Sequence, residues 1–183
     1  WANPKSYIAG SGVVPSVSFS LQGSLDDMTT VPRKDLSQYM ESGELEFHLW
    51  VDKRGNVDTA DNLKLQLQFM TPESGVTDAP TDGYSNSKVF EIDITTAKVD
   101  EMYKVNIPLT KFFVADDGSI DINTLQHVES LNVTPVATYT DPGTSADYYD
   151  LRYNFGDLQL VMNPAATGTG VLELIPAGDI NPN

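Results

Sequence analysis

Short stretches in which every second residue is apolar run through most of this chain. Val17, Phe19 and Leu21 alternate with Ser16, Ser18 and Ser20, and Leu45, Phe47, Leu49 and Val51 with Glu44, Glu46, His48 and Trp50. Leu63, Leu65, Leu67 and Phe69 alternate in the same way with Lys64, Gln66, Gln68 and Met70. A strand turns successive side chains to opposite faces, so a period of two predicts strands with one face buried. Runs over 89–94, 103–109, 128–133, 149–155, 158–162 and 171–175 predict further strands, and 35–40 predicts one short helical turn. Turn chemistry separates them: Arg54-Gly55-Asn56, the polar stretch 71–87, Asp116-Asp117-Gly118-Ser119 and Asp141-Pro142-Gly143. Short strands punctuated in this way, with helical periodicity nearly absent, predict an all-β fold, a β-sandwich of two antiparallel sheets. Residues 1–175 read as one domain and 176–183 as a tail or the start of a linker, with no internal repeat.

Composition narrows the classes of function. The 183 residues are 40% hydrophobic, enough for a packed core. No cysteine is present, which excludes disulfides, thiolate metal sites and cysteine nucleophiles. A net charge of −15, from 26 acidic against 11 basic residues, repels phosphate backbones and anionic lipid. Nucleic-acid and membrane partners are therefore not expected. No apolar run approaches the length of a membrane span. The chain opens at Trp1 with no leader-like segment and reads as a mature or excised fragment.

If the apolar set points inward, alternation gathers the polar set on one outward surface. That surface would carry His48 and Trp50, then Lys64, Gln66 and Gln68, then Lys104 and Asn106, Asn132, and finally Arg152 and Asn154. An indole stacks on the apolar face of a sugar ring, while amides and cations hydrogen-bond its hydroxyl, carboxylate or sulfate groups. The alternatives are an ordinary solvated face, with Trp50 packed beneath a loop or covering the sheet edge, and strands that are not neighbours or lie on opposite sheets, since alternation leaves strand order open. Tyr84 in the long polar stretch and Tyr148 in the cluster Tyr139, Tyr148, Tyr149 and Tyr153 are candidates for a second site at the loop tips. Tyr149 and Tyr153, in step with Leu151 and Phe155, are expected in the core.

Four stretches resemble a known family: Asp35 to Tyr39 followed by Gly43 to Asp52, Tyr103 to Leu109, Leu125 to Val133, and Phe155 to Leu160. Their order is similar to that of the galactose-binding-like jelly roll found in carbohydrate-binding modules of secreted polysaccharide-degrading enzymes. The resemblance implies a jelly-roll sandwich and a polysaccharide ligand. It also implies a monomeric module within a larger multidomain enzyme. It further implies one structural calcium held by carboxylates and backbone carbonyls, and Asp26, Asp27 and Asp157 are the residues it nominates. Gly156 departs from the family pattern, which has Asp or Asn there.

Other motifs point less far. Glu91-Ile92-Asp93-Ile94 resembles a catalytic strand of laminarinase-type glycosidases, but retaining hydrolysis needs a second carboxyl group about 5–5.5 Å from the nucleophile. Thr95 and Thr96 stand where that acid is required. Asp116 to Asp121 is similar to half of a helix-loop-helix calcium loop, yet aligning Gly118 puts Phe113, Ala115 and Thr124 at ligand positions, so a hairpin turn is expected. Asp58, Asp61 and Asn62 form another oxygen-rich loop. The two histidines, His48 and His127, fit no metalloprotease helix and no nucleophile elbow, and His127 reads as structural. The sequence thus points to a non-catalytic module that binds a polysaccharide, with a slight preference for an anionic plant or algal glycan. A small sandwich lyase or hydrolase and an adhesive surface module, with strand exchange at 171–175, remain the alternatives.

Overall fold

In the computed structural model the described residues are 5–8, 17–20, 35–55, 62–71, 86–98, 101–138, 149–162 and 171–175. Among the described residues nine strands are formed: β1 (Lys5–Ile8), β2 (Val17–Ser20), β3 (Gly43–Gly55), β4 (Asn62–Met70), β5 (Phe90–Asp93), β6 (Met102–Pro108), β7 (Ser130–Thr138), β8 (Tyr149–Met162) and β9 (Val171–Ile175). They make a five-stranded sheet in the order β1-β8-β3-β6-β9 and a four-stranded sheet in the order β2-β7-β4-β5. All pairings are antiparallel. The protein is a β-sandwich, and its strand order is that of a jelly roll. The first and eighth strands pair, as do the second and seventh, the third and sixth, and the fourth and fifth. A long hairpin rolled up on itself leaves these pairs, and the chain changes sheet at each step except β4 to β5 and β8 to β9.

The alternation in the sequence has its physical cause in the core between the sheets. Leu45, Phe47, Leu49 and Val51 of β3 face Leu63, Leu65, Leu67 and Phe69 of β4, all buried, and Tyr103, Val105, Ile107, Leu131, Val133, Tyr153 and Phe155 join them. Phe47 and Phe155 pack with ring centres 4.8 Å apart. Phe69 meets Phe112 edge-on at 4.9 Å, the arrangement in which ring edge and ring face attract. Pro135 is tolerated within β7 because β2 pairs only with residues 130–133, so among the described residues Pro135 has a strand on one side alone.

Several elements differ from the sequence expectation. Residues 149–155 and 158–162 belong to one continuous strand, β8, which carries a bulge: Glu46 pairs with Gln159 but His48 with Gly156. Two residues, Asp157 and Leu158, thus oppose Phe47. Arg54 and Gly55 are not a turn but the end of β3, paired with Asp150 and Tyr149. The expected helical turn is a single 3₁₀ turn, Ser37–Tyr39. Two short helices not expected from the sequence, α1 (Thr110–Phe113) and α2 (Ile122–Leu125), close one end of the core and bury Phe112, Phe113 and Leu125. Asp121 caps α2, accepting from Thr124 N at 3.1 Å and from Thr124 Oγ1 at 2.6 Å. The acidic turn is a hairpin, as expected: Val114 bridges Ile120, Gly118 takes a φ of 83° and Asp117 accepts from Ser119. Residues 171–175 form a strand of the same chain's sheet, paired with β6.

Candidate functional site

The outer face of the five-stranded sheet is built around β3, its middle strand. While Leu45, Phe47, Leu49 and Val51 enter the core, Glu46, His48 and Trp50 turn the other way and are half-buried. On β6, Lys104 and Asn106 lie on the same face, directly opposite His48 and Glu46. Trp50 stands between Met102 of β6 and Asn154 of β8 in register. Arg152 is opposite Asp52, so both β8 residues expected beside Trp50 occupy neighbouring register positions.

Hydrogen bonds tie this face together. Lys104 Nζ lies 2.9 Å from Glu46 Oε2, and Gln159 donates from Nε2 to Glu46 Oε1 at 2.9 Å. The Lys104 bond, with Gln159's behind it, outweighs partial burial and holds the Glu46 carboxyl below the usual carboxylate range. His48 Nδ1 is 3.0 Å from Asp157 Oδ2. Asp157 reaches that position because the bulge inserts it at a φ of 53°, which returns its carboxylate to the face that Gly156 already occupies opposite His48. Asn106 Oδ1 is buried with no hydrogen-bond partner among the described residues.

The expected single surface is in fact two. Lys64, Gln66 and Gln68 lie on β4, in the other sheet, and Asn132 is opposite Gln68 on β7. They cannot act with Trp50, because the whole core separates the two outer faces. On that second face Lys64 Nζ lies 2.5 Å from Glu91 Oε2 and Gln66 donates to Glu91 Oε1 at 2.8 Å. Gln68 donates to the carbonyl of Ser87 at 2.7 Å. Lys64's hydrogen bond, then Gln66's, holds Glu91 below the usual range. Asp93 accepts from Thr95 N at 2.9 Å. Both carboxylates of the Glu-Ile-Asp-Ile stretch thus serve the sheet edge.

Tyr84, Tyr148, Asp26, Asp27, Asp58 and Asp61 lie outside the described residues. Asp157, the third residue nominated for calcium, faces an imidazole, and among the described residues no three His, Asp or Glu side chains gather as metal ligands. His127 hydrogen-bonds the carbonyl of Asn123 through Nδ1 at 2.7 Å, in the turn that ends α2. Tyr153 is buried in the core, as expected. Sequence reasoning passed over Glu46, Gln159 and the pairing of Asp157 with His48. One signal was available: Phe155 and Leu158 are three residues apart where the apolar period is two, the mark of an inserted residue.

No family model matches the chain, and no curated protein matches it. Solved structures similar to it include a family 30 carbohydrate-binding module of a cellulosomal cellulase of Clostridium thermocellum, 16% identical with a TM-score of 0.40 over 88% of this chain and 82% of that one. Two further family 30 carbohydrate-binding modules are 17% and 15% identical, each with a TM-score of 0.42. They cover 88% and 92% of this chain and 84% and 77% of their own. Among the described residues no helix is long and apolar enough to cross a membrane.

Proposed function

We propose that this chain is a non-catalytic carbohydrate-binding module that holds a neutral polysaccharide across the outer face of its five-stranded sheet and keeps an appended secreted enzyme on that polymer. The observation that carries the reading is Trp50, half-exposed on the middle strand of that sheet, with polar side chains from three strands already ordered farther along the same face. An indole in that setting stacks on the C–H face of a pyranose, and side chains held by neighbours lose little entropy when they bond a hydroxyl. The four stretches similar to galactose-binding-like modules supply the polysaccharide class.

A neutral glycan is favoured over an anionic one. The cations that suggested an acidic ligand are divided between opposite sheets, Lys104 is paired with Glu46, and Lys64 with Glu91. An anionic chain on the Trp50 face would meet the carboxylates of Glu46 and Asp157. A calcium ion forms no part of this reading.

Calorimetric titration with hydroxyethylcellulose, barley β-glucan and galactomannan, beside the anionic carboxymethylcellulose and polygalacturonate, tests it. Trp50→Ala is expected to weaken binding of whichever neutral polymer the wild type prefers by about tenfold or more, the loss of a stacked aromatic. Equal affinity of the variant and the wild type for every polymer would reject this face as the site.

A further inference from the structure

We infer that Asp157 is a positioning residue for His48: it holds the imidazole with its proton on Nδ1, so that Nε2 accepts a hydrogen bond from a hydroxyl of the neutral sugar beside Trp50. The ligand in this statement rests on the function proposed above; the state of the ring does not.

The geometry begins with the bulge. Between Gly156, paired with His48, and Gln159, paired with Glu46, β8 has one residue more than β3. Without that residue the outward positions of β8 would run from Gly156 directly to the partner of Glu46, and no side chain on β8 would stand opposite His48. The insertion places Asp157 on the outer face, and its carboxylate is 3.0 Å from Nδ1. Among the described residues Asp157 is the one non-glycine residue with a positive φ. Glycine would meet the conformational demand of the bulge at lower backbone cost, so the register shift alone does not call for a carboxylate.

An ionised carboxylate can only accept, so the neutral imidazole facing it must carry its hydrogen on Nδ1. Nε2 is then the acceptor, and no hydrogen bond to it joins the described residues. The His48 side chain is 28% exposed and that of Asp157 77%, so the ring is half-sheltered while its partner stands in water. His48 also adjoins Trp50 along the outward row of β3 and stands opposite Lys104, whose ammonium is paired with Glu46. A hydroxyl proton is the group this arrangement recognises. A carboxylate or sulfate, which can only accept, would meet a lone pair and the Asp157 charge.

Two-bond ¹H–¹⁵N imidazole spectra of the free protein, recorded at alkaline pH, read the tautomer directly. His127→Gln removes the second imidazole from the spectrum. The expected result is a predominantly Nδ1–H His48, converted to a mixture dominated by Nε2–H in Asp157→Gly, a variant that keeps the bulge geometry. In calorimetry, Asp157→Gly is expected to bind hydroxyethylcellulose about three- to tenfold more weakly, the worth of one hydrogen bond between neutral groups. Asp157→Asn, which restores an acceptor oxygen, is expected to recover part of both effects. A predominantly Nε2–H ring in the wild type would overturn the inference. So would unchanged affinity of Asp157→Gly for hydroxyethylcellulose while Trp50→Ala abolishes binding, an outcome that leaves the glycan reading standing. Failure of the wild type to bind any of the polysaccharides would overturn the glycan reading and the ligand assigned to Nε2 together, and the spectrum distinguishes that failure from loss of the His48–Asp157 pair.

Discussion

At the scale of single residues, Glu46 shows how the outer face of the five-stranded sheet is ordered. Lys104 and Gln159 each bond one of its oxygens, and Lys104's bond is the main reason its carboxyl titrates below the usual range. A carboxyl that is more acidic folded than unfolded stabilises the fold above the unfolded range, and the contribution is lost as pH falls through the folded value. Glu46→Gln is therefore expected to lower stability at neutral pH by about 1 kcal/mol or less, as for other partly exposed pairs. It is also expected to make stability decline less steeply on acidification; urea unfolding of both proteins between neutral pH and about pH 3 measures the slope. That Trp50 and His48 point away from the core was legible from their own strand. That Gln159 reaches Glu46, and that Lys64 does not share their face, was not, because those are relations between strands.

Among elements, the longest strands carry the surprises. β3 and β8 lie side by side in register from Gly43 opposite Met162 to Gly55 opposite Tyr149, broken once by the bulge. The break lies in the sequence as a slip from a period of two to three, which reads equally well as the end of one strand and the start of another. The helices α1 and α2 were unreadable for a different reason. Each is 4 residues long, too short to show a period, and is held by burying Phe112, Phe113 and Leu125 rather than by helix propensity. The joint between the 3₁₀ turn and β3 is tight: a Cβ on Gly43 would stand 2.3 Å from the Tyr39 carbonyl oxygen and 2.4 Å from Tyr39 Cβ. One of these atoms is backbone and the other bonded to it, so neither can swing aside. Gly43→Ala is expected to cost about 1–3 kcal/mol, with the midpoint of urea unfolding lowered and its slope unchanged. A midpoint equal to that of the wild type would show that the turn can move.

For the molecule as a whole, the rolled hairpin sets the folding problem. β1 pairs with β8 and β2 with β7, so strands far apart in the sequence must meet before these edges of the roll close. Contacts so distant in sequence cost loop-closure entropy before they return any burial. Refolding followed by tryptophan fluorescence in a stopped-flow instrument is expected to occupy about milliseconds to seconds, or longer, with no dominant microsecond phase. β9 lies outside the rolled pairs, added to the free side of β6. It pairs within the same chain, at the segment where the sequence suggested strand exchange.

What the sequence determined by itself is everything that depends on a residue and its near neighbours. The period of two named the strands other than β1 and the inward residues of β3 and β4, the Asp-Asp-Gly-Ser stretch named a hairpin turn, and the absence of an acid after Asp93 spoke against retaining hydrolysis. Strand order was left to the tertiary structure. Alternation states that a side chain points out of a sheet but not which sheet, since the two outer faces of a sandwich are equally wet and equally polar. Only the pairing of β3 with β6 and β8, and of β4 with β5 and β7, separated the Trp50 face from the Lys64 face. The bulge that brings Asp157 to His48 is a product of that same pairing, because an inserted residue has a direction only once its neighbour strand is in place.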